Sequence, residues 1–228
     1  MIQTKLAELM VTTNYSKNHK LREPKKKWLQ YQEPKTLDTK GIIEKIDELY
    51  PKNRKIVALS GGKDSGVVFH KNLDIIERAF FIKTNVGVQA TEDFVKDQCK
   101  KYGIPLDIRE PAPHAFVYVA ICLEAGFPSA GLHDMIMSFL KYKTMLKYVT
   151  DPQHKGKKPI LLSGVRKYES TRRKFNYNQP INIDSDRIVF ACPIFYETDE
   201  DVYRYYIENG LNRSSVYGWA GTSLECGC

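Results

Sequence analysis

An α/β fold built on a parallel sheet is predicted by three features of the sequence. From about residue 39, segments with apolar residues at helical spacing alternate with short apolar runs, as expected when helices cover a parallel sheet. One of those runs passes through a Gly-Gly turn directly into a helical pattern. The 228 residues, 42% of them hydrophobic, suffice for one sizeable core and exclude a mostly disordered or collagenous chain.

The elements follow in order. Gly41 to Leu49 places Ile42, Ile43, Ile46 and Leu49 at helical spacing and is closed by Pro51. A strand at Lys55 to Leu59 leads through Ser60-Gly61-Gly62-Lys63-Asp64-Ser65 into a helix with an apolar face of Val67, Val68, Leu73, Ile75 and Ile76. A second strand, Ala79 to Lys83, precedes a helix at Thr91 to Tyr102, and Pro105 to Arg109 reads as a third strand. Helical segments at Ala115 to Ala125 and His133 to Tyr148 come next, then strands at Ile160 to Ser163 and Arg187 to Ala191. Thr198 fits the N-cap of a helix over Asp199 to Glu208, whose acidic first turn suits the helix dipole. Residues 1–38 read as a basic N-terminal extension, 39–210 as the α/β domain and 211–228 as a cysteine-containing tail.

The longest apolar stretch, Phe116 to Leu123, is far short of the ~20 residues a membrane helix needs, so no membrane association is expected. The N-terminal residues carry no signal-peptide pattern, and five cysteines without framework spacing point to a reducing, cytoplasmic setting. The net charge of +8 is unevenly placed. Residues 1–37 hold eight Lys and Arg against three Glu, and residues 141–174 hold eleven against Asp151 and Glu169. Two basic regions on a more acidic body point to an anionic partner: a nucleotide, a small oxyanion or a nucleic acid backbone.

The turn at 60–65 carries the chemistry. Gly61 and Gly62 let a phosphate approach the backbone, and the amides opening the next helix face it. Lys63 and the Ser60 and Ser65 hydroxyls are further donors, and Asp64 is a candidate magnesium ligand. The spacing is not that of a Walker A loop. Ser60-Gly61-Gly62-Lys63-Asp64-Ser65 after a strand resembles the pyrophosphate-binding loop (PP-loop) of the ATP pyrophosphatases, which split ATP between its α and β phosphates.

Further segments narrow the resemblance to the branch containing phosphoadenylylsulfate (PAPS) reductases and the ATP-using sulfate adenylyltransferase subunit. They are Thr84-Asn85-Val86-Gly87 with Thr91 to Val95, Tyr102 to Leu106, Gly164-Val165-Arg166-Lys167-Tyr168-Glu169-Ser170-Thr171-Arg172, and Pro193-Ile194 with Thr198 to Val202. In the third, the family's last arginine falls on Arg173 by strict spacing and on Arg172 one residue short. The resemblance spans about residues 55–228. It implies a doubly wound, five-stranded, mainly parallel sheet of the adenine nucleotide alpha hydrolase-like kind, with nucleotide at the carboxyl ends of the strands. It places adenine near Thr84, Asn85 and Gly164. Arg166 and Arg172 can each offer a planar fork to phosphate or sulfate, with Glu169 orienting an arginine and Ser170 donating to the same oxyanion.

The intact loop favours ATP cleavage, because the branch's dedicated reductases have a degenerate loop and a substrate with no β,γ pyrophosphate. Leu224-Glu225-Cys226-Gly227-Cys228, however, resembles the Glu-Cys-Gly that carries the reductases' nucleophilic cysteine. The expected activity is therefore adenylyl transfer from ATP, with magnesium, to an oxyanion or nucleic acid acceptor, Lys63, Asp64 and Arg166 being the catalytic candidates. The alternatives are reduction of PAPS or adenylylsulfate by Cys226 with a thioredoxin-like reductant, and a nucleotide- or nucleic-acid-binding module without turnover. Cys99, one turn after Val95, reads as core packing. Cys122, Cys192, Cys226 and Cys228 are in number a candidate iron-sulfur cluster or zinc set, while Cys226 and Cys228 also fit redox or sulfur-transfer thiols.

Overall fold

The computed structural model describes residues 37–84, 86–111, 118, 119, 122, 123, 136–154, 159–169, 179–184 and 188–221. Helix α1, Thr39–Leu49, starts where the Asp38 carboxylate accepts from the Gly41 amide at 2.8 Å and buries Ile42 and Ile46. Strand β1, Lys55–Ala58, leads into α2, Lys63–Lys71. Strand β2, Arg78–Ile82, leads into α3, Gln89–Tyr102, and strand β3 is Leu106–Arg109. A π-helical turn, Ser138–Tyr142, runs into α4, Lys143–Val149, before β4, Ile160–Leu162. Strands β5, Ile181–Asp184, and β6, Ile188–Ala191, are followed by α5, Asp199–Glu208, and the short α6, Tyr217–Ala220.

The strands form one sheet in the order β3-β2-β1-β4-β6-β5. All neighbours are parallel except β5, which runs antiparallel to β6. Among the described residues the sheet thus has six strands rather than the five expected. The additional strand is short, begins after Pro180 and occupies the edge, where a proline at the strand start costs no ladder bond. Central strands are apolar on both faces: Ile160, Leu161 and Leu162 of β4 are fully buried, as are Ile56 and Val57 of β1.

Helix α2 ends at Lys71, so Leu73, Ile75 and Ile76 lie beyond it rather than on its face. The Asn72 side chain, itself buried, donates to the Val68 carbonyl at 2.7 Å and so occupies a carbonyl of the last turn. Val67, Val68 and Phe69 remain in the core. Helix α5 is capped by Thr198 as expected, with a full capping box: Thr198 Oγ1 accepts from the Asp201 amide and the Asp201 carboxylate accepts from the Thr198 amide. Of the expected 115–125 helix, residues 118, 119, 122 and 123 are described and are helical. No helix among the described residues is long and apolar enough to cross a membrane.

The order of the strands reverses direction at β1 and β4. Chain leaving β1 moves outward to β2 and β3, and chain leaving β4 moves the other way to β6 and β5. β1 and β4 therefore flank the point where the strand order reverses, and open α/β sheets bind ligands outside the carboxyl ends of the strands at such a point. Residues 60–65 and 163–169 are the loops after these two strands.

Candidate functional site

Loop 60–65 holds its shape through its own serines. The Ser65 hydroxyl donates to the Gly62 carbonyl at 3.0 Å and accepts from the Ser60 amide at 3.2 Å. With that proton committed, the 3.1 Å contact between the two hydroxyls has Ser60 as donor. Ser60 Oγ also accepts from the Gly62 amide at 3.3 Å. The hydroxyls expected as phosphate donors thus brace the turn. Gly61 has φ +77°, and a Cβ on it would lie 2.5 Å from Thr91 Cγ2, so both conformation and space require glycine there. Among the described residues, the Asp64 and Ser65 amides have no hydrogen-bond partner, leaving two donors of the first turn of α2 for an anion.

The second loop is pressed against the first. A Cβ on Gly164 would fall 2.6 Å from the Ser65 nitrogen and 2.7 Å from the Asp64 carbonyl carbon, both backbone atoms. Two residues on, Arg166 is 1% exposed, the largest of the fully buried side chains. Its Nε donates to Asp64 Oδ1 at 2.9 Å, one terminal nitrogen donates to Asp199 Oδ1 at 2.7 Å, and the other reaches the Glu197 carbonyl at 3.3 Å. Lys63 Nζ completes the cluster, 3.0 and 3.1 Å from the two Asp64 oxygens and 2.9 Å from Asp199 Oδ1. The two cations and two carboxylates come from three separate segments, the first turns of α2 and α5 and the loop after β4, and balance in charge.

Asp199 falls in the Thr198 to Val202 segment of the resemblance, but the sequence assigns it no role in the site. Its acidic neighbours explained it as part of the first turn of α5, and that sufficient explanation hid its reach across to Lys63 and Arg166. The Lys63 hydrogen bond, reinforced by both cations, holds its carboxyl below the ordinary 3.8. A depressed folded value stabilises the fold fully above pH 3.8, and this contribution is lost as pH falls through the folded value. Asp199→Asn is therefore expected to be less stable than the parent in urea at pH 7, the gap closing below about pH 4.

Beside this cluster, the segment after β2 forms a small cleft lined by Lys83, Thr84, Gly87, Val88, Thr91 and Glu92. Thr84, expected near adenine, is buried there, while Asn85 lies outside the described residues. Glu92, also unforeseen, is 6% exposed and pairs with Lys96 at 2.6 Å and Lys83 at 3.2 Å. The Lys96 hydrogen bond, then that of Lys83, outweighs burial and lowers its pKa.

Helix α5 and the chain after it close over the loop. Tyr206 donates its hydroxyl to the Lys63 carbonyl at 3.0 Å, and the Tyr217 hydroxyl accepts from the Lys63 amide at 2.8 Å. The Arg213 guanidinium lies 5.4 Å from the Tyr203 ring centroid and 5.7 Å from that of Tyr217.

Glu169 is exposed beside the site, whereas Ser170, Arg172, Cys226 and Cys228 lie outside the described residues. Cys192 is 1% exposed at the end of β6 and Cys122 is half-buried. Cys99 is core packing, as expected, with burial pushing its thiol up to about 12. No group of three or more His, Cys, Asp or Glu among the described residues is arranged to hold a metal ion.

Comparison with solved structures defines the class. The chain is similar to the PAPS reductase of Candida auris, solved as a phosphate complex, at TM-score 0.55 and 17% identity over 80% of this chain and 84% of that one. It is similar to the NH3-dependent NAD synthetase of Campylobacter jejuni subsp. jejuni, solved with nitrate, at TM-score 0.52 and 16% identity over 81% and 79%. The fold is that of the PP-loop, adenine nucleotide alpha hydrolase-like proteins. The family model for the phosphoadenosine phosphosulfate reductase domain matches residues 54–226, and the chain belongs to that family. No curated protein sequence matches it.

Proposed function

We propose that this chain binds ATP with its β and γ phosphates on loop 60–65 and cleaves it between the α and β phosphates, transferring AMP to an oxyanion or nucleic acid acceptor. The observation that carries the reading is the loop itself, with its full Ser-Gly-Gly-Lys-Asp-Ser sequence and with Arg166 and Lys63 converging beside two unengaged amides. An acceptor oxygen attacks the α phosphorus, the bond to the bridging oxygen breaks, and pyrophosphate leaves with the negative charge. Lys63, Arg166 and the first-turn amides of α2 stabilise that charge, so catalysis is chiefly positioning and electrostatics.

A magnesium ion fits the donor set. Asp64 and Asp199 are tied to the same two cations, and Asp199 Oδ2 has no protein donor among the described residues. Magnesium is commonly held by one or two carboxylates together with substrate phosphates, so a larger carboxylate cage is not required. Bound there, it would supply charge neutralisation on the phosphates.

A second reading is favoured by the family model and by the hydrogen bond that already engages the Lys63 amide. It is PAPS or adenylylsulfate reduction. The Cys226 thiolate attacks the sulfate sulfur, the adenine nucleotide leaves with the bridging oxygen, and a thiol reductant releases sulfite from the S-sulfonated cysteine. Both readings are tested by incubating the protein with ATP and magnesium over candidate acceptors, sulfate and RNA among them, and in parallel with PAPS. Adenylyl transfer yields pyrophosphate and AMP or an AMP adduct. A mass increase on Cys226 with PAPS, lost in Cys226→Ser and without ATP cleavage, supports the reductase instead.

A further inference from the structure

We propose that Tyr217 is an internal competitor for the pyrophosphate position and so sets how strongly the site favours nucleotides that carry a pyrophosphate. The proposal rests on the reading of loop 60–65 as the pyrophosphate site. Lys63 supplies the first amide of α2, one of the donors a helix N-terminus offers to an anion. Here that N–H is taken: the Tyr217 hydroxyl accepts from it at 2.8 Å, across 154 positions of chain. A phosphate oxygen using the same N–H must occupy the same place, so the phenol and the phosphate exclude each other.

The phenol is built to be present yet displaceable. The phenol is a neutral acceptor at working pH, and burial pushes its pKa further up; a neutral acceptor bonds an amide less strongly than a phosphate anion does. The segment is anchored one residue before it by Val216, which is fully buried, and three residues before it by Ser214, which is 2% exposed. Gly218 follows with open space around it. The side chain can thus leave the amide while the backbone behind it stays fixed. A nucleotide ending at its α phosphate makes no demand on this amide and meets no competition.

Two measurements on Tyr217→Phe test this. Hydrogen exchange at the Lys63 amide, in protein without ligand, is expected to be faster in the variant. Titrations with inorganic pyrophosphate and with ATP and magnesium are expected to show about threefold to tenfold tighter binding than wild type, while AMP affinity stays within about twofold. Unchanged exchange, an unchanged or weaker pyrophosphate affinity, or an equal gain for AMP overturns the proposal alone. Absence of pyrophosphate and ATP binding in both proteins overturns it together with the reading of the site on which it rests.

Discussion

Arg166→Ala is expected to be the most damaging single replacement in the site. The guanidinium is buried and serves Asp64, Asp199 and the Glu197 carbonyl at once. Its removal leaves Asp64, whose side chain is 16% exposed, with only the Lys63 ammonium, and empties the space of a large buried side chain. Breaking a buried pair by deleting one partner costs about 3 kcal/mol or more, whereas the Asp199 contribution is reduced by that residue's exposure to water. Urea denaturation is expected to register this loss, and ATP binding to vanish with it. Arg166→Lys keeps a charge but cannot bond three partners from one planar fork. It is expected to fold with lower stability and to bind ATP at least tenfold more weakly, which separates loss of recognition from loss of fold.

Gly164→Ala is expected to act through the backbone. The added methyl would stand 2.6 Å from the Ser65 nitrogen and 3.0 Å from its Cα, and neither atom can turn aside as a side-chain tip could. Either the 163–169 loop or the start of α2 must shift, at a cost of about 1 to 3 kcal/mol. The same shift moves the unengaged amides and Arg166 relative to each other. Small displacements of positioning groups cost rate far more than stability, up to about a hundredfold for 1 Å. Calorimetry and thermal melting together are expected to show ATP affinity falling at least tenfold in a protein that remains folded.

The alternation of elements was readable because each strand and helix is encoded by local spacing, and the loop at 60–65 because its six residues are contiguous. Strand β5 is not legible in the sequence because Ile181-Asn182-Ile183-Asp184 is a brief alternation at a sheet edge, with the pattern of connecting chain. The end of α2 is not legible because apolar residues continue past Lys71 and the Asn72 side chain marks the stop. The π-helical turn at Ser138–Tyr142 leaves the apolar pattern looking like ordinary helix.

The candidate site divides along the same line. Lys63, Asp64, Gly164 and Arg166 were named from motifs, and the fold brings them together. Asp199, Glu92 and Tyr217 were not named as site residues. Their roles depend on contacts between segments far apart in the chain, such as the 136 positions between Lys63 and Asp199. Nothing local in Val216-Tyr217-Gly218 distinguishes a tyrosine that meets the loop from one that packs in a core.

The most direct test of the nucleotide site is calorimetric titration of ATP with magnesium into the wild-type protein and Lys63→Ala, with thermal melting of both. Lys63 bridges Asp64 and Asp199, and Arg166 remains to hold both carboxylates when it is removed. The expected result is binding by the wild type, weakened about tenfold to a hundredfold in the variant by loss of one charged donor, with a fall in melting temperature smaller than that of Arg166→Ala. Equal affinity in the two proteins, or no binding by the wild type, would contradict the assignment of residues 60–65 as a pyrophosphate-binding loop.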